Sequence, residues 1–512
     1  MLFKIYKLFR TFFLLGFFIL STQLEAQLMN HYWSQSYNSI SSLLSGAVVA
    51  GDAGNAAIFY NPANITEIEK GSNISLAASF LTISHYSVQN AMGDNKNLKS
   101  TNFYVQPQFF SVGINSPFNN WSFEIATFNR VKEQLNVSYS ESFNINFNES
   151  GVAQDRAVAQ YTYRNYYSDD WIGFGGAYTI NEKWHLGISL NFSFSTVDYI
   201  STTMVEIHPH IADSLTTGGV NSTLLAENMY SERIKFTNAR MITRLGTAYE
   251  SGRWRLGLNI SLPPLNILTL GKKAIRTHKE VYAVEFTEGI VLSDYFIYDA
   301  QDNESIKSAN YKLPFSISLG ALYNLGDNKK IYTTIEYFAG LQPYKMVDAT
   351  QKTDITTDVI YDQLENKDWL SYAYGAVPVL NIALGYRWQI KPKVLFLMGL
   401  RTDFNNIKDY NYGDFDKYAK LQSSSLNIYH ATGGVKFQYK KHQLIAGTQL
   451  SFGMQNNVKQ TANFGSDYEP DFGNDMPLLG VRDNSATIYH FSISLFLGAT
   501  LNFENKKEQV RE

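Results

Sequence analysis

The sequence from Ile488 to Phe503, IYHFSISLFLGATLNF, alternates apolar and polar residues over its whole length. Every odd position from Phe491 to Phe503 carries an apolar side chain, and most even positions from His490 to Asn502 carry a small or polar one. Because side chains alternate faces along a strand, this pattern predicts a strand with one apolar face and one polar face.

The same alternation recurs along the chain, and long polar loops alternate with very short turns. Fourteen strands are predicted, at about 73–85, 102–115, 121–136, 170–180, 184–198, 234–249, 253–266, 312–324, 331–342, 376–390, 393–405, 426–439, 443–455 and 488–503. A soluble sheet could use one such strand, but this layout is what a transmembrane β-barrel needs, since lipid tolerates no unpaired sheet edge. We therefore predict an all-β, 14-stranded antiparallel transmembrane barrel over residues 71–503.

Charged residues decide which face of the predicted strands points inward. Arg387 and Arg401 lie on the polar faces of their strands. On the lipid side each would cost about 2–4 kcal/mol near the bilayer midplane, so the polar face should line the lumen. An even strand count puts both chain ends at the rim with the short turns, which we expect to be periplasmic. The predicted long loops, including 137–169, 199–233 and 267–311, would then face outward.

The N-terminus predicts export. Basic residues precede the apolar run from Thr11 to Leu20, and Ala26 is a small residue at a cleavage point. Residues 1–26 therefore read as a signal peptide. The alternative, a membrane-anchoring helix, fits less well because this run is too short to cross about 30 Å of hydrocarbon. Residues 27–70 have a helical apolar spacing that predicts a plug of short helices, here called the hatch. Residues 504–512 are expected to be a short periplasmic tail.

Composition narrows the possible functions. The chain has no cysteine, so disulfides and thiolate metal sites are excluded. Its 43 basic and 46 acidic residues nearly balance, and no nucleic-acid partner is implied. Tyrosine and phenylalanine number 34 each, which suits the aromatic girdles of a barrel in the outer membrane. We expect a monomer that contacts outer-membrane lipid and the outer-membrane assembly machinery, with no cofactor and no metal.

One segment of the hatch resembles a known family. Phe59, Tyr60, Asn61, Pro62 and Ala63, preceded by small and acidic residues, are similar to the hatch of the FadL/OmpP1/TodX outer-membrane transporters. The stretches 244–250 and 313–320 also look like strands of that family. A turn seated by Asn61 and Pro62 makes physical sense, because proline fixes its own φ and keeps the preceding residue out of the helical region. The alternative is an ordinary N-terminal loop.

The resemblance implies passive uptake of hydrophobic compounds, most often long-chain fatty acids or aromatic hydrocarbons. In the family, outer loops capture the substrate, a pocket above the hatch holds it, and a kinked wall strand lets it leave sideways. The family's opening lies in the third strand, where this chain has Phe128 and Asn129 in a weakened alternation. Pro107 in the second strand is another candidate, although a harmless bulge is the alternative there.

Cationic side chains could hold a fatty carboxylate in the lumen. The inward-facing candidates are Arg130, Arg240, Arg244, Arg387, Arg401 and Lys436. For each of them taken alone, the favoured account is structural: it pairs with Glu336 or Asp403 across the lumen.

Catalysis is not expected. The nine histidines are scattered, and no nucleophile elbow or phosphate-binding loop is present, although a lipase-type barrel stays conceivable. Two other functions remain open: a surface interaction or structural barrel that uses its long loops, and a gated porin for polar solutes.

Overall fold

A computed structural model describes residues 30–33, 39–68, 72–114, 118, 120–145, 155–208, 226–282, 296–304, 306–349, 353–355, 371–407, 419–420, 425–440, 442–465, 468–471 and 476–503. The expected signal peptide and the expected tail lie outside these residues.

The described chain is almost entirely strand. In chain order the strands are β1 (Ser72–Gln89), β2 (Leu98–Ile114), β3 (Trp121–Ile145), β4 (Asp155–Thr179), β5 (Trp184–His208), β6 (Ala226–Ser251), β7 (Trp254–Ser261), β8 (Leu265–Tyr282), β9 (Phe296–Glu304), β10 (Ile306–Ala309), β11 (Ser316–Gly326), β12 (Lys329–Phe338), β13 (Leu341–Ala349), β14 (Thr353–Ile355), β15 (Tyr372–Ala376), β16 (Val379–Lys391), β17 (Val394–Asp403), β18 (Ala419–Lys420), β19 (Ile428–Tyr439), β20 (His442–Val458) and β21 (Ala486–Phe503).

Fourteen wall positions form a closed antiparallel barrel, as the sequence predicts. Their order around the wall is β1, β2, β3, β4, β5, β6, β7 with β8, β11, β12, β16, β17, β19, β20 and β21. The pairing of Ser72 with Phe503 closes the ring. That pair lies at the rim with the short connections, which we call the turn end, and the opposite rim is the loop end.

The wall has an apolar outside. In β21, Phe491 and Leu497 are 45% and 47% exposed, whereas His490 and Ser492 are buried. Outward apolar residues of the other strands, such as Leu400, are exposed in the same way. Because a closed barrel leaves no unpaired edge, this apolar exterior makes it a membrane-spanning barrel. None of the described helices is long and apolar enough to cross a membrane.

Four strands are much longer than predicted. The regions 137–169 and 199–233 were expected to be loops, but β3, β4, β5 and β6 run 25 or 26 residues each. About 9–11 residues suffice to cross the bilayer, so these strands project well beyond it. Their outer halves are rich in serine, threonine and tyrosine, a composition typical of polar loops. Several of these tyrosines point inward instead, and Tyr163 and Tyr199 are buried.

The predicted strand 253–266 is interrupted. It ends as β7 at Ser261, and β8 begins only at Leu265, because Pro263 and Pro264 cannot donate to a ladder. The expected loop 267–311 likewise contains most of β8 and all of β9 and β10.

Two cores fill the lumen. Near the turn end lies the hatch, described over residues 39–68, with helices at Ser39–Leu43, Gly54–Ala56, Ala57–Tyr60 and Pro62–Glu67. Leu43, Ile58 and Phe59 of the hatch are fully buried against the wall. Toward the loop end a second cluster, the outer core, packs β10, β13 and β15 against the inner faces of β3–β6. A fifth helix, Pro477–Leu479, joins the outer core.

Candidate functional site

Asn61 holds the centre of the hatch in place. Its side-chain oxygen accepts from the Ala63 backbone N–H at 3.1 Å and so caps the helix that Pro62 begins. Its Nδ2 donates to the carbonyls of Val49, at 2.8 Å, and of Thr247 on β6, at 3.0 Å. One buried amide therefore ties two turns of the hatch to the barrel wall.

Glycines on the inner wall let the hatch backbone approach closely. A Cβ on Gly187 would overlap the main chain of Pro62, and one on Gly257 would overlap the carbonyl of Val49. The same crowding against the hatch occurs at Gly175, Gly246, Gly320, Gly399 and Gly447. The hatch is thus seated on a surface of small residues spread around the barrel, which we call the glycine seat.

Ion pairs fasten the face of the hatch toward the turn end. Asp52 lies 2.9 Å from both Lys330 and Arg387. Burial alone would raise the pKa of Asp52, but Arg387 and Lys330 beside it lower this pKa to about 2. Arg255 donates to the carbonyl of Ala50 and pairs with Glu67, each at 2.8 Å. These contacts bind the hatch to three different wall strands.

A cavity of about 60 Å³ lies on the other side of the hatch, toward the loop end. Its aromatic lining consists of Tyr32, Trp33, Phe59, Tyr60, Trp171 and Phe338. Its aliphatic lining consists of Val49, Ile242, Leu262, Leu313 and Pro314, and Arg130, Arg244 and Arg401 also reach it. Glu336 and several serine and threonine hydroxyls line it as well. A pocket of aromatic and aliphatic side chains with a few charged and polar groups suits an amphipathic or apolar ligand.

The six predicted cations separate into two groups. Arg387 lies on the far side of the hatch from the cavity, bound to Asp52, and Lys436 lines a different pocket there. Arg130, Arg244 and Arg401 reach the cavity. Arg240 lies beside Arg130, because both arginines bind the carboxylate of Asp169.

Asp169 binds two of these arginines. Arg130 Nε lies 2.7 Å from one carboxylate oxygen, and Arg240 Nη2 lies 3.1 Å from the other. The expected pairing with Glu336 or Asp403 is wrong for these two arginines. Glu336 instead accepts from Trp33 Nε1 at 2.6 Å. The sequence does not predict these pairs, because Asp169 lies in the region 137–169 that was expected to be a loop. The register that places Asp169 beside Arg130 also cannot be derived from either strand alone.

Arg244 lines the cavity and keeps one donor to spare. Its Nη1 donates to the carbonyl of Phe59, and its guanidinium lies 5.4 Å from the ring centroid of Trp171. Its Nε is buried and has no partner among the described residues.

The wall is incomplete between β2 and β3. Their ladder runs from Ile114 paired with Phe123 only as far as Phe109 paired with Phe128. Beyond that point, among the residues that the structure describes, β2 pairs only with β1, and β3 pairs only with β4. Register shifts flank the end of the ladder, next to Pro107 in β2 and between Asn129 and Val131 in β3.

An aromatic cluster covers this point from inside. Phe59 of the hatch lies with its ring centroid 3.7 Å from that of Phe128 and 6.3 Å from that of Phe109. Trp171, which the sequence analysis did not single out, completes the cluster at 5.3 Å from Phe128. The hatch motif and one of the two third-strand candidates, Phe128, therefore meet at one place. The side chain of the other candidate, Asn129, instead donates from Nδ2 to Asp170 at 2.7 Å.

Comparison with known proteins supports the architecture. No protein-family model matches the sequence, and no match to a curated protein was found. Among solved structures, the toluene transporter TodX of P. putida superposes with a TM-score of 0.55 at 14% identity, covering 92% of this chain and 99% of that one. A Pseudomonas aeruginosa FadL homologue gives a TM-score of 0.55 at 11% identity, covering 93% and 100%. The chain has the fold of the FadL and TodX channels.

A third structure agrees with this assignment. The Ralstonia pickettii toluene transporter TbuX gives a TM-score of 0.50 at 11% identity over 92% of this chain and 99% of that one. The resemblance predicted from residues 59–63 is thus confirmed in the fold, and the hatch of this FadL-like barrel occupies the lumen.

Proposed function

We propose that this protein is an outer-membrane channel for the passive uptake of hydrophobic compounds, with long-chain fatty acids as the first substrate class. The observation that carries the proposal is the aromatic and aliphatic cavity, closed on one side by the hatch and adjoining an incomplete wall. Both chain ends are then periplasmic, and the loop end faces outside the cell. No energy source is needed, because the solute moves down its own gradient.

Arg244 is the proposed partner of a fatty carboxylate. Arg130 and Arg240 already share Asp169, whereas Arg244 keeps a buried donor. An anion at this position would also lie close to the Trp171 ring, leaving the acyl chain to the apolar lining.

The proposed exit is the gap between β2 and β3. A solute leaving the cavity there passes Phe59 and Phe128 and enters the bilayer without crossing water. Pro107 supports the gap, because a proline leaves no N–H unpaired in hydrocarbon.

The alternatives receive less support. A porin needs an aqueous lumen, but two packed cores occupy the described part of this one. A surface-binding barrel would display the tyrosines of its extended strands, but many of these, including Tyr161, Tyr163 and Tyr199, are buried in the outer core.

Binding of two probes tests the proposal. Purified protein should bind both oleate and toluene, and Arg244→Gln should weaken oleate binding about tenfold, the value of one charge-assisted hydrogen bond. Toluene has no carboxylate, so its binding should not change. Lys436→Gln is the matched control, since it removes one charge from the other side of the hatch. If wild-type protein binds neither probe, and cells lacking it take up oleate normally, the proposed function is wrong.

A further inference from the structure

The wall has a second interruption, on the other side of β4, β5 and β6 from the first. At the turn end β7 pairs with β6 on one side and with β11 on the other, and the last pair on the β11 side joins Ser261 to Ser316. Beyond Ser261 the wall continues as β8, which pairs with β6 and β9. Within the described residues, β8 forms no ladder with β11.

The chain on the far side of this interruption turns inward. Asn310 donates its N–H to Met346 at 2.8 Å, and the carbonyl of Tyr311 accepts from Arg240 at 2.6 Å. Leu313 and Pro314 follow and then lead into β11. The segment from Asn310 to Pro314 thus bonds to the lumen side. Ala309, directly before it, accepts from the Thr269 hydroxyl of β8, so the interruption spans the stretch between Ser261 and Thr269.

Three prolines border the interruption: Pro263, Pro264 and Pro314. An unpaired backbone N–H in hydrocarbon costs several kcal/mol. Proline has no N–H, so each of these positions leaves one donor fewer to satisfy. The adjacent Leu262 N–H is paired, since it donates to Thr243 at 2.9 Å. The wall can therefore stay open here at a low cost in unsatisfied donors.

The cavity reaches this interruption. Leu262, Leu313 and Pro314 line it, together with Ser261 and Ser316 on either side of the last pair. Leu262 is also 38% exposed, and its position in the alternation is that of the outward-facing Leu256 of β7. One side chain therefore contacts both the cavity and the outer surface. Leu265, Leu268 and Leu270 continue an exposed apolar surface beside it.

We infer that the break at Pro263 and Pro264 is a second lateral passage, through which apolar molecules move between the cavity and the bilayer. The inference rests on the proposed function, and it adds a route separate from the β2–β3 gap. Its walls are Leu262 on one side and Leu313 with Pro314 on the other. Apart from the hydroxyls of Ser261 and Ser316 at its border, the side chains at this point are apolar, so the molecule that passes here is a hydrocarbon or the acyl tail of an amphipathic solute.

Release kinetics test the passage. Because the chain has no cysteine, Leu262→Cys can be folded first and then alkylated with a bulky maleimide. Bound parinaric acid, displaced by excess oleate in a stopped-flow experiment, should leave the alkylated protein at least twofold more slowly than the unalkylated Leu262→Cys protein. The control is Leu265→Cys, which is more exposed than Leu262 but does not line the cavity, and its alkylation should leave the release rate unchanged. Equal release rates before and after alkylation at position 262 would overturn the passage.

A second measurement does not depend on substrate. A spin label at Leu313→Cys in liposomes should collide with oxygen dissolved in the bilayer nearly as often as one at Leu265→Cys. A label at Ile242→Cys, a cavity residue only 2% exposed, should collide far less often. Collision at position 313 as rare as at 242 contradicts the passage whether or not the protein binds parinaric acid. If the wild-type protein binds neither parinaric acid nor toluene, the result counts against the proposed function and not against the passage.

Discussion

At the scale of single residues, the glycine seat makes a sharp prediction. Gly187→Ala places a Cβ where the Pro62 main chain lies, so we expect a loss of about 1–3 kcal/mol in the free energy of unfolding, as in other overpacked cores. Gly433→Ala is the control, because a Cβ there meets nothing within 4 Å. Heat-dependent mobility in gels measures both. Equal stability of the two variants would mean that the hatch does not rest on the wall as described.

The Asp52 carboxylate should make the seating of the hatch sensitive to acid. Its pKa is about 2, below the ordinary 3.8, so it stabilises the folded state above pH ~4, and this contribution, about 2 kcal/mol, is lost as the pH falls toward 2. Unfolding temperatures measured from pH 5 down to pH 2 should fall further in wild type than in Asp52→Asn, which has lost the contribution already. The exposed loop carboxylate Asp483 supplies the control variant, Asp483→Asn. Parallel curves for wild type and Asp52→Asn would contradict this account.

At the scale of strands, the sequence predicted the barrel well at the turn end and poorly at the loop end. Inside the bilayer the outer face must be apolar, so alternation is strong, as in β21. Beyond the bilayer the outer face of β3–β6 can be polar, and the alternation is weaker, although inward residues such as Tyr199 and Val205 are buried. The break at Pro263 is not predicted, because the alternation over residues 253–266 favours one continuous strand. The two prolines within that stretch end the ladder. The pairing of Arg130 with Asp169 depends on strand register, which one sequence does not give.

Cross-linking should locate the end of the β2–β3 ladder. Ser111 and Ala126 are directly opposed in that ladder and both point inward. A cysteine pair at these positions should form a disulfide rapidly under mild oxidation. Asn102 and Leu135 would be opposed if the same register continued, and both are buried, but a cysteine pair there should stay reduced. Equal rates of oxidation would show a closed wall and remove the proposed exit.

At the scale of the whole molecule, the hatch and the outer core block the lumen in series. The hatch fills the turn end with residues around Leu43 and Phe59, and the outer core fills the loop end with residues around Tyr199 and Tyr372. Resistances in series add, so opening one block leaves the other limiting. Wild-type protein in a planar bilayer should therefore be almost silent, and the cavity between the blocks communicates with lipid more readily than with water.

This arrangement predicts that two deletions act together on conductance. The first removes the hatch, residues 39–68. The second replaces residues 341–376 with a short turn, which is feasible because Phe338 and Val379 already pair across β12 and β16. Each deletion alone should raise single-channel conductance slightly, whereas the double variant should exceed the sum of the two increases and approach a steady open pore. Gel mobility shifts on heating show whether each barrel has folded. If deleting the hatch alone gives the full conductance of the double variant, the outer core does not block the lumen, and the account of two blocks in series fails.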